Sequence, residues 1–226
     1  MKPRVKLGET KLLGGTMALF EHDGAYSVNF NGQELMHSKA SASERLLGEL
    51  GMEALAGGPI ERILIGGLGL GFTLRSVMET AAKDARVDVV ELVPEVVEWN
   101  LQHLQSLNGS LLSDSRVNLH TEDVGPMIRN AAEGSWDVIL MDADNGPVAM
   151  VADANVSLYS NTGLRAIHTA LSPHGRAVFW SAGPDVRFEN RLKRVGFNVR
   201  TVPAKTHDGA RQSSYRLYVA ERDAAI

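Results

Sequence analysis

The chain contains no cysteine among its 226 residues. That excludes disulfides, zinc–thiolate sites and a cysteine nucleophile. No apolar run is long enough to cross a bilayer, so no membrane partner is expected. The opening Met1-Lys2-Pro3-Arg4-Val5-Lys6 is basic but leads into no apolar core, so it does not read as a signal peptide. A cytoplasmic location is the expectation. A basic block is missing too: 23 Lys and Arg stand against 27 Asp and Glu, for a net charge of −4. Nucleic acid is therefore not an expected partner. The acidic lean tolerates a cationic substrate. His103, His120, His168, His174 and His207 show no H-x-x-x-H spacing, and His22 and His37 get the same default of surface or packing roles, so no metal is expected. Ser213 and Ser214 lack a G-x-S-x-G elbow. Internal repeats and low-complexity tracts are absent, and the length suits one large domain with a small extension.

What is present centres on Ile63-Leu64-Ile65-Gly66-Gly67-Leu68-Gly69-Leu70-Gly71. Three branched apolar residues run into a glycine-rich turn, and Phe72 to Met78 reads as the start of a helix. A run apolar at every position suits a strand covered on both faces, as in a parallel sheet. Gly67, Gly69 and Gly71 let a ligand approach bare backbone, and the N–H groups of the following helix face the same point. The dinucleotide spacing G-x-G-x-x-G would need glycine at position 72, which is Phe72. The loop alone reads equally as a nucleoside site or a structural turn.

Taken in order, Thr16 to Glu21, Ala25 to Phe30 and Glu34 to His37 read as short strands joined at Asp23-Gly24 and Asn31-Gly32. Ser41 or Ser43 is placed to cap a helix from Glu44 to about Ala56. From residue 61 strands and helices alternate. Strands are expected at Val87–Leu92, Val117–His120, Asp137–Met141, Arg176–Trp180, Phe197–Val202 and Ser214–Ala220. Helices are expected from Pro94, over Thr162–Leu171 and over Val186–Val195. The last two strands have no helix between them and should pair antiparallel. The expected fold is α/β: a Rossmann-like, seven-stranded, mostly parallel sheet with an antiparallel last strand, preceded by a small β-meander. The expected division is a β extension at 1–40 and the main domain at 41–226.

Three more features fall at strand ends. Glu91, with Leu92 beside it, lies roughly 20 residues past the glycine turn, where an acid accepts ribose hydroxyls. Asp123 suits an adenine amino group and the Val124 N–H a ring nitrogen, while Asp123 also suits the cap of a helix starting at Gly125-Pro126. Asp142 and Asp144 leave the fourth strand on the turn-forming run Met141 to Pro147, where clustered carboxylates can hold an amine and take its proton. The plainer reading of Asp144-Asn145-Gly146 is turn chemistry. The weakly periodic stretch from Val148 to Ser160 reads as a gating loop. Tyr159, Trp180 and Tyr215 are candidates for either an acceptor pocket or the core.

The chain resembles the spermidine synthase family, a branch of the class I S-adenosylmethionine (SAM)-dependent transferases. The likeness lies in Ile65 to Arg75, Val90 to Val97, Glu122-Asp123, Trp136 to Asp142 and Gly146-Pro147, and Ser160 to Gly175 resembles the family's next helix and turn. The amino-terminal meander is similar to the family's small β extension. The resemblance implies that Glu91 binds the donor's ribose, that Asp123 and Val124 bind its adenine, and that Asp142 sits beside the sulfonium and the nucleophile. It also implies a homodimer. Three departures stand out. The loop carries Leu68 and Leu70 where the family has an acid that holds the aminopropyl ammonium. Leu47-Gly48-Glu49 replaces a Tyr-His-Glu run. The acidic loop is shortened to Asp142-x-Asp144.

The leading expectation is a transferase that uses SAM or decarboxylated SAM to alkylate a small-molecule acceptor, an amine. Asp142 and Asp144 would be the catalytic residues. Methyl transfer is slightly favoured over aminopropyl transfer because of the missing loop acid. A nicotinamide dehydrogenase and a non-catalytic nucleoside-binding module are the competing readings.

Overall fold

The computed structural model describes residues 3–12, 14–142 and 157–223. Four strands make the small sheet: β1 (Val5–Leu12), β2 (Gly15–His22), β3 (Ala25–Phe30) and β4 (Gln33–His37), antiparallel in chain order. Asp23-Gly24 and Asn31-Gly32 form the expected hairpin turns, with all four residues at positive φ. Strand β1 was not expected from sequence. Its pairing with β2 slips between Lys6 and Gly8, which breaks the alternation that would announce a strand. Gly8 sits where a Cβ would run into the Trp99 indole, so the strand can lie directly on that ring.

The large sheet contains β5 (Arg62–Gly66), β6 (Arg86–Glu91), β7 (Val117–Thr121), β8 (Trp136–Met141), β9 (Leu171–Ser181), β10 (Phe197–Ala204) and β11 (Tyr215–Arg222). Its order is β10-β11-β9-β8-β5-β6-β7, and β11 runs antiparallel to both neighbours. This is the expected architecture. Helices α1 (Ala42–Gly51), α2 (Phe72–Thr80) and α3 (Pro94–Gln102) precede a short 3-10 turn at Gly109–Ser113. Then come α4 (Val124–Arg129), α5 (Asn161–Ala170) and α6 (Val186–Val195).

Period-two alternation sends side chains to two cores. Ile63, Ile65, Val87, Val89, Val138 and Leu140 meet Leu47, Leu50, Leu74 and Val77 of α1 and α2. Leu64, Ile139, Met141, Ala177 and Phe179 meet Ile128, Leu164, Ile167, Phe188 and Leu192 of α4 to α6. Burial of each such aliphatic chain favours folding by about 1.5–3 kcal/mol. A third cluster joins Met17, Leu19, Val28 and Phe30 of the small sheet to Leu70, Phe72, Val93, Val96 and Trp99. The small sheet is thereby anchored on the glycine loop and α3.

Helix α1 ends at Gly51, five residues short of the expected Ala56, with the Met52 N–H closing on the Gly48 and Glu49 carbonyls. Gly51 lets the helix approach β8, since a Cβ there would strike Leu140. Neither expected serine caps it. Ser41 occupies the cap position at φ −106° and ψ 6° without a side-chain capping bond. The Ser43 hydroxyl instead donates to the Glu44 carboxylate at 2.8 Å. Other boundaries shift by a few residues, the largest at β9, which starts at Leu171 rather than Arg176.

Candidate functional site

Strand β5 has β6 on one side and β8 on the other, so the chain changes direction around it. A crevice opens at the carboxyl ends of strands at such a point. Here it is a cavity of about 330 Å³ between the glycine loop, the ends of β6 and β8, the start of α1 and strand β4. Gly67, Gly69 and Gly71 adopt φ of 104°, 51° and 78°, which only glycine adopts freely. Gly71 also lies against Asn108, where a Cβ would come within 2.8 Å. The Gly67 N–H bonds the Val90 carbonyl at 2.8 Å, and the Asp142 N–H bonds the Gly66 carbonyl at 2.9 Å. The loop is thus stitched to the strands on either side of it. Gly67 and Gly69 line the cavity; Gly71 stands behind them as the left-handed residue that starts α2.

Glu91 ends β6 and is 8% exposed. One carboxylate oxygen accepts the Leu68 N–H at 2.9 Å and the Gly69 N–H at 3.4 Å. The other accepts the Val93 N–H at 2.9 Å. Burial raises its pKa, against the opposing pull of these N–H groups. The acid expected to grip a ligand therefore also shapes the loop. Leu92, 39% exposed, and Val124 line the cavity beside it.

The Asp123 carboxylate caps α4 by accepting the Gly125 N–H at 2.8 Å, and it lines the same cavity. Asp142 lines it too and accepts the Thr73 hydroxyl at 2.7 Å. Asp144 and the expected gating loop through residue 156 lie outside the described residues. Trp180 and Tyr215 face the cavity as a tilted pair with ring centroids 4.6 Å apart. Tyr159 packs edge-on against Phe179 and Phe188 and borders a second cavity together with Trp180.

Sequence reading missed several lining groups. Glu34, Met36 and His37 come from β4, so the small sheet is part of the site wall. His37, expected in a surface or packing role, lines the cavity, and its Nδ1 accepts the Lys39 N–H at 3.0 Å. Ser43 and Glu44 contribute from α1. Thr73, 1% exposed, supports Asp142 from behind. None carries a local signal: a Thr in the first turn of a helix and a Glu in the first turn of another both read as ordinary helix residues. By contrast, Leu47-Gly48-Glu49 does not reach the cavity. Leu47 is in the core, Glu49 faces solvent, and Gly48 is pressed against α2, where a Cβ would meet Ser76 at 2.6 Å. This run serves close helix packing.

The described lining includes six carboxylates, from Glu34, Glu44, Glu91, Glu122, Asp123 and Asp142, and no lysine or arginine. Such a cavity favours cations over anions. Among the described residues no helix is long and apolar enough to cross a membrane.

No family model matches the chain. A polyamine aminopropyltransferase of Prochlorococcus marinus strain MIT 9313 is 33% identical over 129 residues, covering 56% of this chain and 42% of that protein. One from Clostridium acetobutylicum is 30% identical over 144 residues, covering 62% and 48%. The matched stretch thus spans less than half the length of these curated relatives. A spermidine synthase solved in complex with the transition-state analogue AdoDATO superposes with a TM-score of 0.79 at 18% identity, over 97% of this chain and 74% of that one. The spermidine synthase of Thermotoga maritima gives 0.74 at the same identity and coverage. These likenesses assign the spermidine synthase fold.

Proposed function

We propose, from the premise that this chain is spermidine synthase-like in sequence and fold, that it transfers an aminopropyl group from decarboxylated SAM to an amine. The observation that carries this reading is the six-carboxylate lining with no lysine or arginine among the described residues. Decarboxylated SAM brings a sulfonium and an ammonium. SAM adds a carboxylate, which no lysine or arginine of the described lining is there to hold, and like charges brought together cost several kcal/mol. The slight preference for methyl transfer is therefore reversed. It rested on Leu68 and Leu70 standing where an acid was expected, yet the cavity draws carboxylates from other elements. The relatives above are aminopropyltransferases by name, which points the same way.

In this reading Glu91 accepts the ribose hydroxyls, Asp123 the adenine amino group, and Leu92 and Val124 flank the base. Gly67 and Gly69 give bare backbone beside the donor. Asp142, steadied by Thr73, orients the acceptor amine and takes its proton. The amine nitrogen bonds to the donor carbon next to sulfur as the C–S bond breaks. Its electrons return to sulfur, leaving neutral methylthioadenosine. A sulfonium is already activated, so alignment supplies most of the rate. Residues 1–40 serve as the wall of the site rather than as an independent unit, because β4 lines the cavity and Met17 to Phe30 share a core with the glycine loop.

Incubation with decarboxylated SAM and an aliphatic diamine should release one methylthioadenosine per aminopropylated amine. Release of S-adenosylhomocysteine from SAM, with no reaction of the decarboxylated donor, would restore methyl transfer. A binding module without turnover is the second reading, supported by the burial of Leu47 and Gly48 away from the cavity. Donor binding with no product across a panel of amines would favour it.

A further inference from the structure

We infer that Glu44 is the residue that holds the terminal ammonium of the donor's aminopropyl chain, and so sets specificity for a cationic donor. The inference rests on the aminopropyl-transfer reading above. Glu44 lies in the first turn of α1 and lines the cavity together with Asp142. One hydroxyl links the two positions: Thr73 Oγ1 lies 2.7 Å from the Asp142 carboxylate and 3.3 Å from the Glu44 carbonyl. Thr73 itself is in the first turn after the glycine loop, so Glu44 stands beside the loop where the donor's backbone contacts end. Ser43, 1% exposed, donates its hydroxyl to the Glu44 carboxylate at 2.8 Å and restrains it. The loop offers no charge of its own, since Leu68 and Leu70 are both buried in apolar clusters.

Of the other five lining carboxylates, Glu34 is exposed on β4, and the remaining four have different work. Glu91 is bonded to the loop's N–H groups and Asp123 caps α4. Glu122 faces His120 at 3.8 Å beyond the end of β7. Asp142 faces the acceptor. Glu44 therefore completes a division of labour: one acid for the diol, one for the base, one for the incoming amine and one for the donor's own ammonium.

Titration calorimetry with decarboxylated SAM and with methylthioadenosine tests this on the intact chain. The two share the nucleoside, but only the first carries the sulfonium and the aminopropyl ammonium. S-adenosyl-3-thiopropylamine, which keeps the ammonium without the sulfonium, separates these charges and should be weakened by Glu44→Gln as decarboxylated SAM is. Glu44→Gln should weaken decarboxylated SAM by about ten- to a hundredfold, the scale of one hydrogen bond to a charged group, and leave methylthioadenosine unchanged. Glu44→Asp, which keeps the charge but shortens the reach, should fall between wild type and Glu44→Gln. Unchanged affinity of Glu44→Gln for decarboxylated SAM would overturn the assignment while the aminopropyl-transfer reading stands. Equal loss of both nucleosides would also overturn it, by showing that Glu44 only shapes the cavity. Failure of wild type to bind decarboxylated SAM would instead remove the reading on which the inference rests.

Discussion

The two ends of the large sheet use acidic residues in opposite ways. At the amino-terminal ends of the parallel strands, carboxylates are matched to arginines. Asp137 meets Arg62 at 2.9 Å, Glu221 meets Arg176 at 2.6 Å, Glu133 meets Arg222 at 2.5 Å and Asp114 meets Arg116 at 2.9 Å. Arg176 and Arg222 are themselves buried and bond carbonyls of α1 and of the end of α5. Pairs of this kind tie elements together and leave little net field. At the carboxyl ends, Glu91, Asp123, Asp142 and Glu44 are held by N–H groups and hydroxyls. Those donors fix position and carry no formal charge of their own. Equal numbers of acids would give the same composition at both ends; the identity of the donors separates structure from function.

Substitutions at the two ends should therefore fail differently. The largest effect is expected for Asp142→Asn, which keeps the shape but removes the proton acceptor. Turnover should fall by roughly 10²–10⁴-fold, well beyond any loss of donor affinity, read by methylthioadenosine release and calorimetry. Glu91→Ala should cost roughly 2–5 kcal/mol of donor binding, because ligand hydroxyls and the Leu68, Gly69 and Val93 N–H groups lose one acceptor together. Asp137→Ala should cost about 2–3 kcal/mol of stability in denaturant unfolding, since the Glu61 and Arg62 N–H groups and the Arg62 guanidinium are stranded. Its folded fraction should bind donor as wild type does. Loss of donor affinity in that variant would break the contrast between the ends.

A smaller effect sharpens it through pH. Burial opposes ionisation of Asp137, but Arg62 and the backbone N–H groups outweigh it and hold its carboxyl below the usual range. Its folded pKa is thus lower than its unfolded one. The stabilisation is present above the unfolded value of about 3.9 and is lost as pH falls from there through the lowered folded value. Asp137→Asn removes that term, so the stability gap between wild type and variant should narrow across this acid window. Asp114 is held at about 2 by its side-chain bond to Arg116 and should titrate in the same direction.

Much of this arrangement is legible in the sequence wherever one residue type answers a local demand. Gly67, Gly69 and Gly71 announce a loop with positive φ, and Glu91, Asp123 and Asp142 follow apolar strands at recognisable points. The mostly parallel seven-stranded sheet and the antiparallel β11 follow from alternation and from the missing helix between the last two strands, whereas the strand order comes from the structure alone. What stays hidden is set by contacts distant in the chain. Thr73 acts on Asp142 across 69 positions, and Glu44 and His37 reach the cavity only because α1 and β4 fold over the loop. Strand β1 is concealed because its register slips to lay Gly8 on Trp99.

Calorimetry of the wild-type chain with decarboxylated SAM and with SAM, at low and at moderate salt, tests the cationic-cavity claim most directly. Decarboxylated SAM should bind at least about tenfold more tightly, with the gap narrowing as salt rises. Equal or tighter binding of SAM would contradict it.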